Sequence, residues 1–257
     1  MNVTVDRISD ATIKVQNADI GDADPEPVKP DPEVVDLENK ENKQAESKVL
    51  SPAVSDLTGS SEHMKKAIII HGTFGSPDEN WFPWLAEELR SKGYEVTVPK
   101  FPTPEGQNLK AWTEVFEKEV GKLDSDVTLI GHSLGVGFIA KLLSGSDTKI
   151  ESTHLVSGFL GPLGLEEFDP LNASFVTGDF DWEKVRTNAG EVYVYNSDDD
   201  PYVPLEKGKE LAKHLGTELI VVPNGGHINS SAGFDKFQLL LDRLSGPLRT
   251  PSPNPDQ

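Results

Sequence analysis

The run Val127-Thr128-Leu129-Ile130-Gly131-His132-Ser133-Leu134-Gly135 settles the architecture of this chain more than any other. Its first four residues have strand length and mostly β-branched content, and Leu134 to Leu143 follows as a helical segment. A Gly-x-Ser-x-Gly pattern alone is weak, because a chain of this size and glycine content produces one by chance roughly one time in ten. Between a strand and a helix it carries more. Such a turn strains the serine backbone and presents its hydroxyl, and a side chain at Gly131 or Gly135 would collide across it. That is the setting of a serine nucleophile, Ser133. The plainer alternative is a glycine-rich turn with an incidental serine.

Outward from this turn, short apolar runs alternate with amphipathic ones. Ala67–Ile70, Glu95–Val98, Val127–Ile130, Ser152–Val156, Val192–Tyr195 and Leu219–Val222 read as strands. Trp84–Ser91, Leu109–Leu123, Leu134–Leu143, Asp181–Thr187, Leu205–Leu215 and Phe234–Leu244 read as helices. The pattern predicts an α/β fold, a parallel sheet with helices on both faces. Gly158 to Gly178 is too long for a plain connection and reads as a small cap over the strand ends. Ligands of such sheets bind beyond the carboxyl ends of the strands, which directs attention to His71-Gly72-Thr73, His132-Ser133, Asp198 to Asp200 and His227.

A serine hydroxyl needs a histidine to take its proton, and that histidine needs a carboxylate to fix its tautomer. Of the six histidines, His63 precedes the domain, His154 lies within a strand, His214 is mid-helix, His132 is inside the turn and His71 ends the first strand. His227, in Asn224-Gly225-Gly226-His227, follows the last strand and has the chain order Ser, Asp, His. The acid belongs to Ser197-Asp198-Asp199-Asp200-Pro201, where Asp200 is favoured because Pro201 and Pro204 stiffen the chain beyond it, with Asp199 as the second choice. For an oxyanion, the Leu134 amide and the Thr73 amide are the expected donors. Trp81, Phe82 and Trp84 are candidates for an apolar acyl pocket, against a plain core role. Gly135-x-Gly137-x-x-Ala140 fits a dinucleotide fingerprint, but His132 to Leu134 intervene between the strand end and its first glycine, so a dehydrogenase reading is set aside.

Composition narrows the classes further. A formal net charge of −19 opposes binding to nucleic acid or anionic lipid, which requires clustered Lys and Arg. The absence of cysteine excludes disulfides and thiolate chemistry, and no HExxH run is present, so neither metal nor cofactor is expected. No segment reaches the roughly 18 apolar residues of a membrane span, and a cytoplasmic protein is expected. Residues 1–63 are acidic and poor in large apolar groups, with Ala11–Val15 their best candidate element, and are expected to be largely disordered. Residues 247–257 carry four prolines and read as a second tail. The domain is then 64–246.

These residues resemble the compact α/β-hydrolase family of retinoblastoma-binding protein nine and bacterial YdeN-like serine hydrolases. The likeness rests on Ile70-His71-Gly72-Thr73 with Trp81 and Trp84, Ile130-Gly131-His132-Ser133, Phe180-Asp181-Trp182-Glu183-Lys184-Val185, Asp199-Asp200-Pro201 with Pro204, and Gly226-His227. It implies a minimal sheet of about six parallel strands in the order 2-1-3-4-5-6, and a triad acid at the second aspartate of Asp-Asp-Pro, Asp200. The family's retinoblastoma-binding Leu-x-Cys-x-Glu motif falls on Leu123-Asp124-Ser125-Asp126-Val127 and lacks both the cysteine and the glutamate. That partner is not carried over. The expectation is a serine hydrolase acting on small carboxylic esters or amides; the alternative is a non-catalytic interaction protein that recruits partners through its tails.

Overall fold

Side chains alternate across a strand, so each central strand of this chain serves two cores at once. A computed structural model describes residues 64–246; both tails, Ala11–Val15 and His63 lie outside the described residues. Ile68, Ile70, Leu129, Leu155 and Val194 pack on one face of the sheet, and Ala67, Ile69, Ile130, Val156 and Tyr195 on the other. The strands are β1 (Lys66–Ile70), β2 (Glu95–Thr97), β3 (Val127–His132), β4 (Ser152–Val156), β5 (Glu191–Ser197) and β6 (Leu219–Val222). All neighbours pair in parallel, in the order β2-β1-β3-β4-β5-β6. This is the α/β sheet predicted above.

The helices divide unequally between the faces. Helices α1 (Phe82–Ser91) and α7 (Gln238–Leu244) cover one side through Leu85, Leu89, Leu240 and Leu241. The other side receives α2 (Leu109–Glu119), α3 (Leu134–Gly145), α4 (Asp169–Val176), α5 (Trp182–Asn188) and α6 (Leu205–Leu215), through side chains such as Trp112, Phe138, Phe175, Val185 and Leu211. Local chemistry fixes several ends. Asn108 caps α2 by accepting the Ala111 amide at 2.9 Å, Asp181 caps α5 by accepting that of Lys184 at 3.0 Å, and Gly216 ends α6 in the left-handed region at φ 69°.

Several boundaries differ from the sequence expectation, three of them for an identifiable local reason. Helix α1 begins at Phe82 rather than Trp84, because Pro83 is tolerated in a first turn, where its missing N–H has no partner to lose. Helix α2 ends four residues early, before Gly121 at φ 81°. Phe234 does not open α7; a 3₁₀ turn over Ser230–Ala232 and Gly233 at φ 84° precede it. The Gly158–Gly178 segment contains α4.

Candidate active site

Ser133 joins β3 to α3 at φ 55° and ψ −120°, a conformation that a side-chain-bearing residue occupies only when its surroundings impose it. Here they do. A Cβ on Gly135 would come 2.5 Å from the Ile70 carbonyl oxygen, so that position admits only hydrogen, and one on Gly131 would press Ile139 Cδ1 at 2.7 Å and the Gly135 backbone at 3.0 Å. A Cβ on Gly72 would stand 2.8 Å from Ser133 Cβ, which shows how closely the loop after β1 passes the serine. The strained turn is thus built from three glycines.

His227 is held by its side chain and its backbone. Its Nδ1 lies 2.8 Å from Asp200 Oδ2, and the Asp200 carboxylate is fully buried, its other oxygen accepting the Tyr202 and Val203 amides at 2.9 and 3.0 Å. With Nδ1 donating to Asp200, Nε2 is left as an acceptor. The His227 carbonyl sits 2.9 Å from His132 Nε2 and accepts from Ser157 Oγ at 3.2 Å, while the next carbonyl, of Ile228, accepts the Trp81 indole N–H at 2.9 Å. Burial first, and the neighbouring His227 second, push His132 down to about 3, so it remains neutral and can donate. Ile228 itself has φ 47°, a costly conformation for a β-branched residue.

The two aspartates before Asp200 serve the same loop. Asp198 Oδ1 accepts the Asn224 amide at 2.8 Å, and Asp199 Oδ1 accepts the Gly226 amide at 2.8 Å and the Ser197 hydroxyl at 2.5 Å. The Ser197 hydroxyl chiefly, then the Gly226 amide, hold the Asp199 carboxyl below the usual carboxylate range. Asp200, not Asp199, meets His227.

The loop after β1 is set by a histidine of a different kind. His71 is buried, with Nδ1 2.8 Å from the Gly72 carbonyl oxygen and Nε2 accepting the Phe101 amide at 3.1 Å. Those two partners fix one neutral tautomer, and burial lowers its pKa. Beyond it, Thr73 reaches a cavity of about 200 Å³ shared with Ser133 and His227. Phe159, Leu163 and Val203 supply apolar wall, and Phe74, Phe168 and Tyr202 aromatic wall, the Tyr202 ring lying 5.2 Å edge-on from that of His227. Among the described residues no hydrogen bond joins Ser133 Oγ to His227; such contacts are often long before substrate is present. Leu134 leads α3, where the first amides have no intrahelical acceptor.

A family model described as Serine hydrolase matches residues 67–245. The chain belongs to the serine hydrolase family. It is 31% identical over 184 residues to YdeN of Bacillus subtilis strain 168, named as a candidate hydrolase, covering 70% of this chain and 95% of that one. It is 24% identical to the serine hydrolase RBBP9 of Rattus norvegicus, covering 70% of this chain and 96% of that one. The crystal structure of the B. subtilis ydeN gene product superposes with a TM-score of 0.66 at 30% identity, over 70% of this chain and 97% of that one. The protein is therefore an enzyme, a hydrolase with an α/β-hydrolase fold.

Of the residues singled out in the sequence, this hydrolase brings Ser133, His227 and Thr73 to one cavity and sets Asp200 on His227. The acyl-pocket assignment of Trp81, Phe82 and Trp84 is corrected. Trp81 and Phe82 are fully buried in the core beside α1 and Trp84 is partly buried against that core, none of them lining the cavity. Their spacing near Thr73 looked like a wall, but the helix they open turns them beneath the sheet. Trp81 instead anchors the histidine loop. The cavity walls come from Phe74, from the Gly158–Gly178 segment and from the residues after Asp200. Tyr202 was legible by its adjacency to the acid; Phe168 and Asn172, in a segment with no periodic signal, were not. Among the described residues no helix is long and apolar enough to cross a membrane, and no cluster of His, Cys, Asp and Glu could hold a metal.

Proposed function

We propose that this hydrolase cleaves small carboxylic esters, and amides more slowly, through an acyl-serine formed on Ser133. The observation that carries the reading is the convergence of Ser133 and His227 on one cavity, with Asp200 2.8 Å behind the imidazole. His227 Nε2 takes the hydroxyl proton as Ser133 Oγ bonds to the carbonyl carbon, and Asp200 stabilises the imidazolium. The Thr73 and Leu134 amides donate to the oxyanion. Its collapse expels the alkoxide, which leaves with the proton from His227. Water, deprotonated in turn by His227, then releases the carboxylic acid and restores Ser133.

A cavity of about 200 Å³ is below the roughly 300–1,000 Å³ of sites that enclose drug-sized ligands, which favours short acyl groups. The scaffold alternative rested on tails outside the described residues. Catalysis does not depend on them in this reading. Hydrolysis of short p-nitrophenyl esters tests the proposal. Ser133→Ala and His227→Ala should each lose at least about a thousandfold in kcat, and the double variant little more, because the two act as a unit. Additive losses, or activity retained in Ser133→Ala, would refute it.

A further inference from the structure

One side chain in the cavity is buried, polar and half used. Asn172, on α4, is 2% exposed and lines the same cavity as Ser133 and His227. Its orientation follows from a chain of hydrogen bonds with a fixed direction. Gln107 Nε2 donates to the Leu171 carbonyl at 3.1 Å, which only an N–H can do, so Gln107 Oε1 is the acceptor of the Thr103 hydroxyl at 2.6 Å. The second Gln107 Nε2 proton is left to Thr73 Oγ1 at 3.1 Å and Asn172 Oδ1 at 3.2 Å, and the Thr73 hydroxyl in turn donates to that Asn172 oxygen at 2.5 Å. The Asn172 oxygen is thereby the acceptor end of this chain. Its Nδ2, with two N–H donors, has no partner among the described residues. Nor is it sealed in, since Asn196 Oδ1 is the one fully enclosed side-chain polar atom left unpaired among them.

An unused amide donor in a mostly apolar cavity costs stability unless something fills it. Resting on the serine-hydrolase reading above, we propose that Asn172 Nδ2 is a specificity determinant that donates to an acceptor oxygen of the substrate other than the reacting carbonyl. The preferred substrates are then small esters carrying an ether, hydroxyl, keto or carboxyl oxygen close to the scissile bond, rather than plain alkyl esters. A site built to pair a substrate oxygen discriminates against the analogue that lacks it, because the donor is then left unpaired.

The probes are two isosteric pairs. On the acyl side, p-nitrophenyl methoxyacetate is compared with p-nitrophenyl butyrate; on the alcohol side, 2-methoxyethyl acetate is compared with butyl acetate. Asn172→Asp keeps the oxygen that Thr73 and Gln107 use and removes the free donor, so the loop network survives; Asn172→Leu removes both. Assays at pH 8 keep the new carboxyl ionised. In one pair, the ratio of kcat/KM for the oxygen-bearing ester to that for its alkyl partner should fall about tenfold in Asn172→Asp, the loss expected for one hydrogen bond, and that pair shows on which side the acceptor lies. Ratios unchanged in both pairs overturn the proposal, as does an equal loss for every ester, which would make Asn172 scaffold or oxyanion donor. If the wild-type enzyme hydrolyses none of the four and Ser133 is also inert to a fluorophosphonate, the serine-hydrolase reading itself has failed.

Discussion

Within the Asp198-Asp199-Asp200 run, neighbouring carboxylates of one residue type have separate partners: the Asn224 amide, the Gly226 amide and the His227 imidazole. Only the last can set the tautomer of the proposed base, His227. Asp200→Asn should therefore lower kcat by about 10³- to 10⁴-fold with little change in KM, since an amide in that place stabilises the wrong tautomer and no imidazolium. Asp199→Asn retains an oxygen for the Gly226 amide, and its loss should stay within about tenfold. Steady-state kinetics on one short ester compares the two. Equal losses would mean that the acid role is shared or misassigned. In the sequence, the choice of Asp200 over Asp199 had only the stiffness of the prolines and a family resemblance behind it, because adjacent aspartates on a turn are indistinguishable until their directions are known.

The elements were far more legible than the cavity, for a physical reason. Strands buried on both faces, such as Ala67–Ile70 and Val127–Ile130, are written as continuous apolar runs, and the glycines around Ser133 are demanded by contacts only a few residues away along the chain or across one strand pair. Gly135→Ala tests that demand: its Cβ would meet the Ile70 carbonyl oxygen at 2.5 Å, and the backbones of β1 and α3 must part to admit it. We expect a loss on the order of 3 kcal/mol in denaturant unfolding; a change under about 0.5 kcal/mol would contradict the packing described. The cavity, by contrast, is assembled from Phe74, Phe168, Asn172 and Tyr202, which are far apart in sequence and have no common periodicity. Trp81 shows the same limit from the other side. An aromatic beside the Thr73 loop suggests a pocket wall, and only the turn of α1 reveals that its ring lies in the core and its N–H holds Ile228.

Across the whole domain, buried neutral histidines tie stability to pH. Burial pushes both His132 and His154 down to about 3, with His227 adding to the effect on the first and Arg243 on the second. The unfolded chain protonates these side chains near 6.5. Between those values the unfolded state binds more protons than the folded one, so stability falls as pH falls through that window, by up to about 1.4 kcal/mol per pH unit for each histidine. Unfolding midpoints measured from pH 7 to 4 should drop steadily, and His154→Phe, which keeps a ring against Tyr193, should flatten that slope whatever its effect at pH 7. A slope unchanged by the substitution would contradict the assignment. Chemistry at Ser133 is the central claim for the molecule, and covalent labelling tests it most directly. A fluorophosphonate added to the 257-residue protein should give one adduct by intact mass, located on the peptide that contains Ser133 and absent from Ser133→Ala. Wild-type protein labelled no better than Ser133→Ala, or labelled on another residue, would contradict the account.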